Sequence, residues 1–414
     1  MGEQETARLE RLRAEGRVFT AAPHRVMFFG GALQLVAVAV WWAAELAARA
    51  AGTALWAPVA PAAVHGALMV LGLFPFFVFG FLMTTYPRWM GGRPVPVAAY
   101  VGAFAAMAAG VVAVYAGLLA QAAAVVAAGF GGLALGWAVA LAALWRVFRT
   151  APAPDKRYER WLNAALAAGL AACAATAVAV AAGRGGPALL AVRLALWWFL
   201  LPVLATVAHR MIPFFSECAL EGYRGYRPRW SLPAINVGLG LHGLLELAGR
   251  GASTWLPDAL VAAVALHHSL RWGLRRALEV RLLGVLHLAY LAFGIGMALG
   301  AADGLARLAG TAGLGRAPLH VVTVGFAAAM VIAMATRVSR GHSGRPLVMD
   351  GLEWAVFWSF EAAMVLRVVG ELVPGAGWAS PNLVAAGVWT LAAAAWAGRY
   401  LPVYLRPRLD GRPG

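Results

Sequence analysis

Apolar runs of about 20 residues recur from one end of the chain to the other, each closed by a short cluster of arginine, glycine or proline. A helix rises about 1.5 Å per residue, so a run of that length crosses a hydrocarbon layer about 30 Å thick. Twelve such helices are predicted, over 26–48, 61–86, 94–117, 119–147, 159–182, 187–215, 231–248, 255–275, 280–303, 317–339, 351–373 and 380–403. Their connections are short and leave no room for a separate soluble domain. The expected fold is all-α: a polytopic membrane protein whose single twelve-helix domain spans 23–405. A charged, mildly amphipathic segment at 1–22 precedes it, and a short tail at 406–414 follows.

Composition agrees. Of 414 residues, 62% are hydrophobic and 13% charged, whereas soluble domains run nearer half and a quarter. The net charge of +16 raises the prospect of a nucleic-acid partner, but its distribution excludes one. If the N-terminus lies inside, 27 of the 34 basic residues fall on that side and five on the other (Arg49, Arg184, Arg250, Arg307 and Arg316), with Arg193 and Arg367 inside helices. Such a split follows the positive-inside rule and places both termini in the cytoplasm. No signal peptide is expected, because the first helix is too long for one. Two cysteines, Cys173 and Cys218, give no disulfide or thiolate metal site. Trp41, Trp42, Trp89, Trp197, Trp198 and Trp230 fall near helix ends, where interfacial anchors belong. Self-association is left open.

A faint repeat links helices 2, 6 and 10. Helix 2 ends Met83-Thr84-Thr85-Tyr86-Pro87-Arg88 and runs on to Gly92-Arg93-Pro94; helix 10 ends Met334-Ala335-Thr336-Arg337 and runs on to Gly344-Arg345-Pro346. Each carries a histidine, His65 or His320, near its other end. Helix 6, midway between them, ends Thr206-Val207-Ala208-His209-Arg210. The spacing suggests a pseudo-threefold repeat of four helices. Gly-x-x-x-Gly spacings at Gly132/Gly136 and Gly296/Gly300 permit close helix approach, but among 48 glycines they single out no interface.

Nine histidines carry the candidate chemistry. An ionisable or metal-binding side chain inside hydrocarbon is costly and points to function. Converted to depth, His65, His242 and His320 lie within about 10 Å of the outer boundary. His209, His268 and His287 form a layer nearer the inner one. His267 adjoins His268 but points about 100° away; His24 and His342 sit at the cytoplasmic edge. Imidazole suits haem iron, copper and zinc alike. The plainer alternative at each position is a histidine bonded to a neighbouring helix. Glu246 follows His242 on the same helical face and is placed to orient it. Met330 and Met334 continue a stripe below His320 that reads more readily as packing than as copper ligation. Glu45 and Glu361 are intramembrane acids suited to proton transfer or to local pairing, and Arg367 and Glu371 are one turn apart.

The stretch His320-Val-Val-Thr-Val-Gly325, with Thr336-Arg337-Val-Ser-Arg-Gly-His342-Ser-Gly344-Arg345-Pro346-Leu, resembles the NnrS family of bacterial membrane proteins. So do Leu286-His287-Leu288-Ala289-Tyr290, the helix-2 segment from His65 to Gly80-Phe81-Leu82-Met83-Thr84, and Arg210-Met211-Ile212-Pro213-Phe214-Phe215. The resemblance implies a haem b- and copper-containing protein of the bacterial inner membrane, tied to nitric oxide metabolism and nitrosative stress. His65, His287, His320 and His342 carry over as family histidines, and Arg337, Gly344, Arg345 and Pro346 as the family motif. Ala67 and Leu68 stand where the family has a second histidine and a glutamate, and His209 stands where a glycine is expected.

The expected function is that of a haem–copper membrane protein acting on nitric oxide or metal-nitrosyl species. His65 and His320 are the axial haem ligands in this reading, with His242 as the alternative, and His209, His268 and His287 hold copper or a second haem. As an enzyme it would reduce nitric oxide to nitrous oxide, taking electrons from an unknown donor and protons through Glu45 or Glu361. Two rival readings are a twelve-helix secondary transporter, against which no paired Gly/Pro-broken helices are apparent, and a haem or copper assembly factor. A haem–copper oxidase proper is disfavoured by the lack of His-x-His on helix 10.

Overall fold

The computed structural model describes residues 18–53, 55, 59–373 and 380–411. Most of the predicted amphipathic segment at 1–22, and the end of the tail, lie outside these residues. The described residues form helices and no strands. Twelve long helices run through them: α1 (Pro23–Ala50), α2 (Pro61–Trp89), α3 (Val97–Leu119), α4 (Ala123–Thr150), α5 (Arg157–Ala181), α6 (Gly185–Ala219), α7 (Ser231–Leu247), α8 (Trp255–Arg271), α9 (Arg281–Leu308), α10 (Ala317–His342), α11 (Gly351–Leu372) and α12 (Pro381–Leu405). Their bounds lie within five residues of those the apolar runs predict. Proline opens α1, α2 and α12, where a preset φ helps and a missing N–H costs nothing.

Eight of these, α1–α6, α9 and α10, are long and apolar enough to cross a membrane. The other four carry less apolar length. α7 and α8 have 17 residues each, and α11 carries Glu353, Glu361, Arg367 and Glu371. The chain is a multi-pass membrane protein.

Neighbours in sequence pack as hairpins, and α12 returns against α1. The Gly-x-x-x-Gly pairs each serve a close contact. Gly132 and Gly136 meet Gly110 and Met107 of α3, while Gly296 and Gly300 meet Val322 of α10 and Asp258 of α8. At the centre, α2, α6 and α10 are buried along 89%, 72% and 78% of their most apolar windows, against 33% for α3. The three converge on a small apolar gap of about 40 Å³ lined by Phe77 and Phe81, Val203 and Val207, and Met330 and Met334. The methionine stripe therefore packs the bundle's core.

These central helices share one irregularity. Each widens into a π segment: Leu68–Leu73 in α2, Leu196–Leu200 in α6 and Val321–Ala328 in α10. A π turn holds one residue more than an α turn and re-aims the side chains around it. Pro75 and Pro202 follow the first two closely, and a residue without an N–H leaves the preceding turn free to open. The sequence reading found no broken helices; none is broken here, but three are widened at matching places.

Candidate functional site

The three π segments border one cavity of about 600 Å³ at the end of the bundle away from the termini. Cofactor pockets span about 300–1,000 Å³. His65, His242 and His320 all line it. The shared depth expected of these rings from helix rise alone thus brings them to a common space, from α2, α7 and α10.

Their nitrogens are spent differently. His320 donates its Nδ1 proton to the carbonyl of Arg316, one turn back, at 2.8 Å. That bond fixes the tautomer and leaves Nε2 with its lone pair, the usual second-shell device for a ligating imidazole. His65 keeps Nδ1 buried with no partner and stacks on Trp42, ring centroids 3.9 Å apart and 14° from parallel. His242 has no such freedom. Its Nδ1 lies 2.6 Å from Asp258 Oδ1, its Nε2 lies 3.5 Å from Glu246, and its ring stacks on Trp197 at 3.4 Å. Glu246 in turn accepts from Arg193 at 2.5 Å, so a four-residue ionic chain runs along one wall.

The sequence places Glu246 beside His242 but does not reveal Asp258, the closer partner, because that contact depends on how two helices are set against each other. Several tryptophans expected near helix ends also have partners at the cavity. Trp42 and Trp197 stack on histidines at the cavity, and Trp198 donates to the carbonyl of Gly240 at 3.1 Å. An indole near a helix end is equally suited to lipid and to a wet cavity. Trp230, by contrast, is exposed. Five arginines, Arg49, Arg193, Arg307, Arg316 and Arg367, line the cavity against three acids, Glu246, Asp258 and Asp303.

The inner layer is organised otherwise. His209 and His268 lie 5.3 Å apart, centroid to centroid. Ser231 donates to the Pro228 carbonyl, so it accepts from His209 Nε2 at 2.9 Å, and His209 Nδ1 then accepts from the Tyr158 hydroxyl at 3.0 Å. Both its nitrogens are engaged. His268 pairs Nδ1 with Tyr290 at 3.0 Å and leaves Nε2 without a partner. His287 donates to Ser216, which itself donates to the Ile212 carbonyl, and keeps Nδ1 unpaired. His267 turns toward Tyr226. Among the described residues no three His, Cys, Asp or Glu side chains gather closely enough to hold a metal ion. His209, His268 and His287, expected to hold copper or a second haem, are thus not drawn into one cluster of three; hydroxyls on α5, α6, α7 and α9 engage each ring separately, and His268 and His287 each keep one nitrogen unpaired.

Of the two acids expected to move protons, Glu45 is fully buried and holds Arg49 one turn on at 2.7 Å. Glu361 keeps Oε1 buried and unpartnered. The family-motif residues close α10 and start α11. Arg337 lies 4.0 Å over the Phe215 ring. Gly344 adopts φ 71° against Asp410, where a Cβ would be strained. The Pro346 carbonyl accepts from Arg340, whose guanidinium also grips Glu353 at 2.9 and 3.0 Å. Glu353 and Asp350 form the capping box of α11. Arg345 is half-buried beside them, and His342 meets His24 with ring centroids 4.6 Å apart.

The fold and the cavity together define a helical membrane protein with histidines gathered inside it. Residues 18–408 match the family model described as NnrS protein, so the chain belongs to the NnrS family. None of the curated proteins compared with the chain matches it.

Proposed function

We propose that this chain is a twelve-span protein of the bacterial cytoplasmic membrane, termini inside, that holds haem b in the distal cavity and acts on nitric oxide or metal-nitrosyl species. One observation carries the reading: His65 and His320, distant in sequence, line one large cavity with an uncommitted ring nitrogen each. These two residues would hold the haem iron. His242 is set aside because both its nitrogens face carboxylates. Matching π segments on α2, α6 and α10 support a repeat of four helices built around the site.

The residues fit the group. A porphyrin needs an apolar slot, one or two imidazoles and cations for its acidic side chains. Leu196, Met297 and Val322 supply apolar wall, and Arg316, alone among the five lining arginines in having no carboxylate ion pair among the described residues, supplies a cation. When bound, haem would supply an iron that nitric oxide, an uncharged gas that reaches an apolar interior without a polar channel, can bind in place of one of the two imidazoles. Trp42 would hold the His65 ring in plane, and the Arg316 carbonyl would hold the His320 ring by its Nδ1 proton. The Arg193–Glu246–His242–Asp258 chain places acids where protons can be held at the cavity wall. Copper, expected at His209, His268 and His287, would find no cluster of three such side chains among the described residues, only the free nitrogens of His268 and His287.

Optical spectra of purified protein test the reading. Wild type should carry a Soret band that His65→Ala and His320→Ala abolish and His242→Ala retains. Wild type without the band refutes it.

A further inference from the structure

At the opposite end of the bundle, where α1 begins and α2 and α10 end, lies a second histidine pair that the cavity does not use. His24 and His342 stand with ring centroids 4.6 Å apart. His24 is 2% exposed, its backbone N–H is taken by Thr84, and its Nδ1 is buried with no partner. A buried polar atom left without a partner is costly. Such an atom calls for an occupant.

The surroundings say of what charge. Among the described residues, the charged side chains that act on the His342 ring are all cations: Arg88, Arg408 and Arg25. The same three act on His24. Arg25 is 2% exposed; its Nη1 is committed to the Tyr404 and Arg406 carbonyls, but its Nε is buried and unpartnered. Arg408 reaches the His342 carbonyl at 3.2 Å and chelates Asp410 with its remaining nitrogens. Arg88 is exposed and pairs with no acid among the described residues. Two imidazoles alone suggest a metal, but among the described residues a divalent ion here would meet three guanidinium groups and no unpaired carboxylate. The potential favours an anion.

We propose that His24, His342, Arg25 and Arg88 form an oxyanion site for a phosphate group at the membrane edge, with His24 Nδ1, Arg25 Nε and the Arg88 guanidinium as donors. Arginine forks match phosphate oxygens in pairs, and basic pockets at this level of a membrane protein bind lipid headgroups. The phosphate is either the headgroup of an anionic lipid or the free ion; the donor chemistry is the same.

Two arms on delipidated full-length protein in detergent separate the sources. The first titrates inorganic phosphate against chloride at equal ionic strength and follows thermal unfolding. The second reads adducts by native mass spectrometry with phosphatidylglycerol and with diacylglycerol, which lacks phosphate. A 1:1 phosphatidylglycerol adduct, weakened about tenfold or more in Arg88→Ala and His24→Asn, supports a headgroup site. A phosphate-specific rise in midpoint lost in the same variants supports a site for the free ion. Arg88 is exposed, so its variant should fold even where His24→Asn does not. Response to neither ligand, equal adducts with diacylglycerol, or binding unchanged in Arg88→Ala overturns the proposal. Stoichiometric copper or zinc binding lost in His24→Asn also overturns it.

Discussion

His242 illustrates how far a side chain can be read before its neighbours are known. Its depth and its partner one turn on, Glu246, follow from helix geometry, and both were legible. Its strongest contact, Asp258 at 2.6 Å, comes from the next helix and depends on how two helices are set against each other. Asp258 is 1% exposed and His242 6%, so removing either leaves a buried charge or donor unmet. Asp258→Ala should lower stability by about 1–3 kcal/mol, measured as denaturant unfolding in detergent. His242→Ala should cost a similar amount, and the double variant little more than one alone, since residues that share an interaction are not additive. Full additivity would mean the pair is not coupled. The arginines at the cavity were misjudged for a related reason. Arg49 and Arg316 were counted as loop charges because sequence gives their height in the bilayer but not whether they point inward.

The helices themselves were the most legible part, since twelve apolar runs delimited by polar clusters fix their extent to a few residues. The π segments were not, because one additional residue in a turn leaves composition and periodicity almost unchanged. Yet they decide the site. Gly296 on α9 sits under the α10 segment, where an added Cβ would come within 2.6 Å of Val322 Cγ1 and 3.1 Å of Val321 Cγ1. Gly296→Leu should therefore push α9 and α10 apart and crowd the cavity, with an overpacking cost of about 1–3 kcal/mol. It should also lower haem retention on purification. Gly102→Leu on α3, where nothing lies within 4 Å, is the matched control and should leave stability and haem content unchanged. Equal behaviour of the two variants would remove the π segment of α10 from the account of the site.

The arrangement of the whole chain across the bilayer rests on the four helices with least apolar length. If α7 and α8, at 17 residues each, both cross, the connection holding Arg250 emerges opposite the termini; if neither crosses, it stays on their side. Arginine counts favour crossing, and a helix of this length spans about 26 Å, within reach of a locally thinned bilayer. Labelling with a membrane-impermeant maleimide decides between the two. Cys218 is exposed near the end of α6 and Cys173 is buried, so the native chain carries one accessible thiol, expected inside. In intact spheroplasts wild type should stay unlabelled until the membrane is permeabilised. Arg250→Cys in a Cys218→Ser background should label before permeabilisation, as should Arg184→Cys in the α5–α6 connection. Labelling of Arg250→Cys only after permeabilisation, with Arg184→Cys reactive from the outset, would reduce the count by two. It would also move the Asp258 and Glu246 carboxylates out of the bilayer and leave His242 without the buried setting the cavity requires.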